Sequence, residues 1–317
     1  MGAQLRVYRR QIKSVQSTKK ITKAMELIAA SRIVKAQNRV KAARPYADEL
    51  TRALAALGKD TSLKHPLLTG SENPRRVVIL LVTSDRGLAG GYSANAIKRA
   101  NELSASLRAE GREPVLYVIG RKGVGYYRFR QIPVTDSWTG FSEQPTFLDA
   151  RDSTETVVSA LLAGSEGESR DAAGIDELYV VYTKFESMVT QTAVAVLVAP
   201  VGLAQQGEND GPGEATAEEA NSGEPGPAYD FEPEGEELLA ALLPRYISAR
   251  IFSALLESAA SESAARRRAM KSASDNASDL ITLYTRLANQ ARQAEITQEI
   301  SEIVGGADAL AAAGSDQ

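Results

Sequence analysis

The chain has 317 residues, 43% of them hydrophobic, and a formal net charge of −3, enough for one large or two ordinary domains. It has no cysteine, which excludes disulfides and thiolate metal sites and fits a reducing cytoplasm, and its one histidine, His65, rules out a histidine-rich metal site and is expected to be a loop residue rather than a base. No unbroken apolar run approaches the roughly 18 residues of a membrane-spanning helix, and the opening "MGAQLRVYRRQIKS" is charged, without a secretory apolar core.

Charge is unevenly spread. Residues 1–52 hold thirteen Lys and Arg against three Asp and Glu. Residues 204–237 hold eleven Asp and Glu and no Lys or Arg. The first pattern implies a basic contact surface, the second an acidic solvated segment.

The spacing predicts one long helix over 3–57. Leu5, Tyr8, Ile12, Val15, Lys19, Thr22, Glu26, Ala29, Ile33, Ala36, Val40, Ala43, Ala47, Leu50, Leu54 and Leu57 follow alternating steps of three and four. That is a coiled-coil seam, interrupted at Lys19, Thr22 and Glu26. Pro45 is expected to kink this helix or to start a new one.

Residues 76–200 change character. "RVVILLVT", "PVLYVIG", "ELYVVYT" and "TAVAVLVAP" are short, β-branched and bounded by Gly, Pro or Asp, and read as strands. Helix-like segments at 92–109, 148–163 and a Gly-rich piece near 122–130 alternate with them, which predicts an α/β layer domain. The polar loop 164–174 and the acidic stretch 204–235 are too poor in apolar residues to offset the entropy of ordering, so at least 205–226 is expected to be disordered.

From 236 onward the pattern is helical again. No proline follows Pro244 and no glycine precedes Gly305, so about sixty uninterrupted residues would span roughly 90 Å. Ala259, Ala269, Ala273, Leu280, Leu283, Leu287 and Ala294 are assigned to its seam, where small residues permit close helix approach. The expected organisation is a helix over 1–58, a Rossmann-like α/β domain over 59–203, an acidic insertion over 204–235 and a second long helix over 236–317. The two helices bury their stripes most simply against each other, as an antiparallel coiled coil.

One turn could carry chemistry. In "LLVTSDRGLAGGYSAN" a strand runs into a glycine-rich turn and a helix, as in many nucleotide-binding proteins. However, Gly87, Gly90 and Gly91 are not followed by the lysine of a P-loop, and the dinucleotide fingerprint also fails. The reading is structural: glycines for positive-φ turns and close packing, with Asp85 accepting bonds from loop amides. Glu299 and Glu302, one helical turn apart, are expected to belong to a solvated face. No catalytic, cofactor or metal site is expected. Two other classes remain in view: a nucleic-acid-binding coiled coil, suggested by the basic helix but short of interleaved aromatics, and a nucleotide-dependent enzyme built on the α/β domain.

Four segments carry a more specific signal. "SVQSTKKITKAMELIAASRIVKAQNRVKAARPYA" (14–47), "TSDRGLAGGY" (83–92), "AARRRAMKSASDNA" (264–277) and "ARQAEITQEISEIVGGADAL" (291–310) closely resemble the γ subunits of F-type ATP synthases, in the right order and over nearly the whole chain. The resemblance implies a non-catalytic central stalk. Its shaft would turn inside a hexamer of α and β subunits, and its foot would stand on the c-ring beside ε, at the cytoplasmic face of a bacterial membrane. It places Lys23, Met25 and Arg266 opposite the acidic lever loop of the β subunits. It places Arg292 and Gln293 at a β loop, and Thr297, Glu299 and Glu302 on a tail where coupling is sensitive. The turn Asp85, Arg86, Gly87, Gly90 and Gly91 falls in the foot. The loop 164–174 resembles an insertion of actinobacterial members, whereas the acidic stretch departs from the family pattern.

Overall fold

The computed structural model describes residues 2–57, 66–71, 74–163, 174–201 and 235–314. His65, nearly all of the polar loop 164–174 and nearly all of the acidic stretch 204–235 lie outside the described residues. The elements are α1 (Gly2–Leu57), α2 (Pro66–Thr69), β1 (Arg76–Val82), α3 (Tyr92–Ala109), β2 (Glu113–Ile119), α4 (Arg121–Phe129), β3 (Asp136–Trp138), α5 (Phe147–Ala163), β4 (Glu177–Phe185), β5 (Gln191–Ala199) and α6 (Gly235–Gly314). Contacts divide the chain into two units: residues 29–266, and residues 1–28 with 267–317.

The first unit is a five-stranded sheet in the order β3-β2-β1-β4-β5. β1, β2, β3 and β4 are mutually parallel, and β5 returns antiparallel to β4. Strand alternation sorts the core into two layers. Val77, Ile79 and Leu81 of β1 face α3 and α4, in a cluster with Ala96, Ile97, Ala100 and Tyr127. Val78, Leu80 and Val82 face the other way, into a cluster with Leu50 and Leu54 of α1, Val157 and Leu161 of α5, and Leu239, Leu243 and Ile247 of α6. Both faces of β1 are therefore covered, which explains its unbroken apolar sequence. The sequence reading missed β3, a three-residue edge strand paired with β2.

Within this unit α1 and α6 run antiparallel. Arg32 and Arg266 both reach Glu143, while Leu50 and Leu54 join the cluster holding Leu239 and Leu243. Pro45 does not begin a new helix; α1 is one element from Gly2 to Leu57. The carbonyl that Pro45 deprives of a donor belongs to Lys41, and both residues are exposed, so water can serve it. Pro244 in α6 follows the same logic over exposed Ala240.

The second unit comprises the outer parts of α1 and α6. Thr22 and Glu26, which interrupt the apolar seam, are buried. Thr22 Oγ1 lies 2.7 Å from Ser274 Oγ, and Glu26 Oε2 accepts from Lys23 Nζ at 3.0 Å. The α6 seam differs from the expected one. Met270, Ser274, Ala277 and Ala288 are buried, whereas Leu280 and Leu283 are 41% and 39% exposed and Ala294 is exposed. Small and polar residues take the inward stripe because they permit close approach, which leaves leucines on a second, outward face. By length and composition one stretch within Glu237–Ala307 is apolar enough to cross a membrane, and 44% of it is buried inside the chain. Counting only unbroken apolar runs overlooked it, because scattered Ser and Arg interrupt an otherwise Ala- and Leu-rich helix.

Candidate functional site

The turn after β1 sits where strand order reverses: from β1 the chain goes first to β2 and β3, then across to β4. In open α/β sheets this crevice, beyond the carboxyl ends of the strands, is the usual ligand position. Here the chain occupies it with its own groups.

The amino end of α4 shows how. Its first three amides all have acceptors in consecutive residues after β1. Arg121 N donates to Asp85 Oδ1 at 3.1 Å, Lys122 N to the Ser84 carbonyl at 3.0 Å, and Gly123 N to Thr83 Oγ1 at 3.0 Å. A helix N-terminus attracts anions through such unpaired amides. The chain supplies its own anion, the Asp85 carboxylate, and caps the helix with it. The second oxygen, Oδ2, accepts from Gly140 N at 2.8 Å and Ser142 N at 3.0 Å, and Ser142 Oγ accepts from Asp85 N at 2.9 Å. The sequence reading of Asp85 as an acceptor for loop amides therefore corresponds to three named bonds.

Glycine use differs in part from expectation. Gly90 has φ 56°, but the second left-handed residue is Leu88, φ 63°, and Gly91 has φ −82°. A closer backbone approach is at Gly120, whose added Cβ would lie 2.1 Å from the Thr83 carbonyl oxygen.

The rest of the crevice is filled by α6. Every residue from Ala254 to Arg266 is buried, which makes this stretch of α6 a core helix on all sides. Ser261 Oγ donates to the Thr183 carbonyl of β4 at 2.9 Å, and Thr183 N donates to Ser258 Oγ at 3.3 Å. Ala265 packs on Ala89 and Tyr92 at the start of α3. Burial, then the nearby Glu262 carboxylate, raises the Tyr92 phenol well above its ordinary range.

Arg266 was expected at a contact with another subunit. Its side chain is instead 7% exposed and engaged within this chain: Nη2 meets Glu262 Oε1 at 2.6 Å, and Nη1 lies 3.2 Å from Glu143 Oε1. A guanidinium enclosed in this way has little surface left for a partner. Burial raises the Glu262 carboxyl above its usual value, opposed by the adjacent Arg266.

Glu257, one turn earlier on α6, has a different balance. Burial pushes its carboxyl up to about 7, against the opposing attraction of Lys184, a backbone hydrogen bond from Phe185, and the charges of Arg250 and Arg44. Its folded value exceeds the unfolded one, so its contribution to stability is present at low pH and lost as pH rises from about 4.5 through about 7. Replacing Glu257 by glutamine is expected to leave stability at pH 4.5 nearly unchanged and to raise it at pH 8 by about 2–3 kcal/mol. Urea unfolding at the two pH values measures this; an equal effect at both would refute it.

The remaining sequence-derived residues lie on the outer helices. Lys23 is exposed and Met25 half-buried on α1. Arg292, Gln293, Thr297, Glu299 and Glu302 are all exposed on α6. Thr297 Oγ1 donates to the Gln293 carbonyl at 2.9 Å, and Glu302 Oε1 accepts from Gln298 Nε2 at 2.9 Å. Sequence reasoning overlooked the apolar surface beside them: Ile296, Ile300 and Ile303 are exposed at steps of four and three, along one face. That periodicity was visible in "EITQEISEIV". It also overlooked Glu143 and Glu262, whose partners are distant in sequence or hidden inside a charged helix.

The geometry thus defines a class: an α/β domain of nucleotide-binding topology, its crevice closed by the chain itself, in a chain that begins and ends its described residues with long helices. A family model described as ATP synthase matches residues 4–310. The "ATP synthase gamma chain" of Streptomyces avermitilis is 56% identical over 319 residues, covering 100% of both chains. A chain of the Euglena gracilis mitochondrial ATP synthase has the same fold, with a TM-score of 0.64 at 16% identity, covering 98% of this chain and 95% of that one. A chain from the Tetrahymena thermophila mitochondrial ATP synthase central stalk and c-ring aligns with a TM-score of 0.54 at 20% identity, over 80% and 99%. The chain belongs to the ATP synthase γ-chain family, and is by that membership a subunit without a catalytic site of its own.

Proposed function

We propose that this chain is the rotor shaft of a proton-driven ATP synthase. Its outer helices turn inside a ring of α and β subunits, and its α/β domain stands on the c-ring beside ε, at the cytoplasmic face of the cell membrane. The observation that carries this reading is the outer face of α6. It exposes Ile296, Ile300 and Ile303 beside Arg292, Gln293 and Thr297, a mixed apolar and polar surface suited to a close but sliding contact. On α1 the exposed Lys19, Lys20 and Lys23 supply charge that reaches about one Debye length, roughly 8–10 Å, toward an acidic partner and binds it only weakly when solvated.

Lys23, Met25, Arg292, Gln293, Thr297, Glu299 and Glu302 are assigned to contacts with β. Arg266 is left out because it is enclosed within its own chain. The turn Asp85–Gly91 belongs to the foot. A single asymmetric shaft makes chemically identical catalytic subunits inequivalent, each biased to a different nucleotide state, and rotation exchanges those states.

Purification of a tagged chain from membranes is expected to recover α, β, ε and c subunits in fixed proportion; recovery free of α and β would refute the assignment. Met25→Lys places a charge on a half-buried position of a basic helix. It is expected to lower ATP-driven proton pumping more than ATP hydrolysis in the assembled complex. Equal retention of both activities would remove Met25 from the contact.

A further inference from the structure

We propose that Glu143 is the positioning residue that fixes both long helices to the α/β domain, a clamp through which torque passes between shaft and foot. The inference rests on the rotor reading.

One carboxylate meets three arginines from three different elements. Arg32 of α1 pairs with Glu143 Oε2, Arg266 of α6 lies 3.2 Å from Oε1, and Arg86 of the β1–α3 turn lies 3.6 Å from Oε2. The Glu143 side chain is 14% exposed. Arg266 also reaches the carbonyls of Arg86 and Gly87, both at 3.4 Å, and the buried Glu262 of its own helix. The loop that presents Glu143 is itself held by the Asp85 carboxylate, through Gly140 N and Ser142 N.

The position matters as much as the chemistry. Arg266 is the last residue of the unit that contains the sheet, and Arg32 lies one helical turn inside its first, Ala29. Both helices are thus pinned to the same loop at the point where they leave the sheet-bearing unit. Elsewhere in that unit α1 is held by apolar contacts such as Leu50 and Leu54, and α6 by Leu243 and Leu255 together with two neutral hydrogen bonds of Ser258 and Ser261 with the Thr183 backbone. Burial of this kind is non-directional and tolerates small rotations of a helix about its axis. Ion pairs with short, fixed partners do not. A part-buried ion network contributes little net stability, because desolvation offsets the attraction at its enclosed Arg266 arm and solvent screens its open Arg86 arm, so stability alone gives no reason for its presence. Mechanical fixation does.

The test uses the assembled complex of α, β, ε and this full-length chain. The natural chain has no cysteine, so Ala105→Cys on the exposed side of α3 gives this chain a single thiol for a probe on the foot, in a complex whose other subunits are used cysteine-free. The angle of that probe is recorded during catalytic dwells at saturating ATP. Glu143→Gln keeps the shape and removes the charge. It is expected to about double the variance of the probe angle while the hydrolysis rate stays unchanged, and Glu143→Asp should restore part of the stiffness. Arg86→Ala removes the most exposed arm and should leave the variance as it was. If Glu143→Gln does not assemble, Arg32→Gln removes the α1 arm alone and is expected to broaden the distribution in the same way. An unchanged variance, or a hydrolysis rate that falls in proportion to the broadening, overturns the clamp. Absence of rotation in the unsubstituted complex overturns the rotor reading instead.

Discussion

Replacing Gly120 by alanine is expected to unfold the sheet-bearing unit or leave it barely stable. Gly120 joins β2 to α4 with φ 100°, a conformation that strains any L side chain. The added methyl would lie 2.1 Å from the Thr83 carbonyl oxygen and 2.7 Å from Thr83 Oγ1. Neither atom can yield cheaply. The carbonyl is backbone, and Oγ1 accepts from Gly123 N while donating to the Ile119 carbonyl at 2.9 Å. Strain at the φ angle and overpacking each cost about 1–3 kcal/mol, so a loss of about 4 kcal/mol is expected, a large part of a typical domain's stability. Gly125, in the helix α4 that follows, is the control. An added Cβ there meets nothing within 4 Å, so alanine should stabilise α4 by about 0.5–1 kcal/mol. Urea midpoints of the three chains decide the matter. A Gly120→Ala chain within experimental error of the parent would show that the turn relaxes freely.

The neighbouring β1–α3 turn separates what is legible in a sequence from what is not. A strand, a glycine-rich corner and a helix are local features, and β1, α3 and their junction were legible from apolar runs and turn residues alone. The assignment of Gly90 to a left-handed turn was legible for the same reason. That Gly120 and Gly123 answer to Thr83 was not, because that approach depends on how β2 lies beside β1. Likewise Asp85 announced an acceptor, but not that its donors would come from residues 121, 140 and 142.

The helices divide along similar lines. Ala29, Ile33, Ala36, Ala47, Leu50 and Leu54 were assigned to the α1 seam and are buried, because a stripe with steps of three and four has one consistent inward face. In α6 the same rule favoured Leu280 and Leu283, and the buried positions are Ser274 and Ala277. Hydrophobicity ranks leucine above serine, whereas packing distance ranks them in the opposite order. Glu143 and Glu262 were illegible for a third reason. Arg32 and Glu143 are 111 positions apart, and a lone glutamate in "GFSEQPT" has no local sign of burial.

Asp85→Ala carries the second large effect, and it acts at a distance. The substitution strips acceptors from three amides at once, those of Arg121, Gly140 and Ser142. Bonds to a charged acceptor contribute about 1.5–3 kcal/mol each, less where water can replace the lost partner. The Asp85 side chain is 9% exposed, so water replaces it poorly, and a loss of about 3–4 kcal/mol is expected. The Arg121 ion pair with Asp85, at 3.9 Å on a side chain largely open to solvent, adds little, so Arg121→Ala should be nearly neutral. Asp85→Asn keeps one acceptor oxygen but turns an amino group toward donors, so it should recover less than half of the loss. Because Asp85 holds the loop that carries Glu143, the alanine variant should also expose residues 140–143 to proteolysis and to rapid amide exchange before the sheet opens. Uniform exchange across loop and sheet would mean that Asp85 stabilises the unit as a whole rather than fixing the loop on which both helices are pinned.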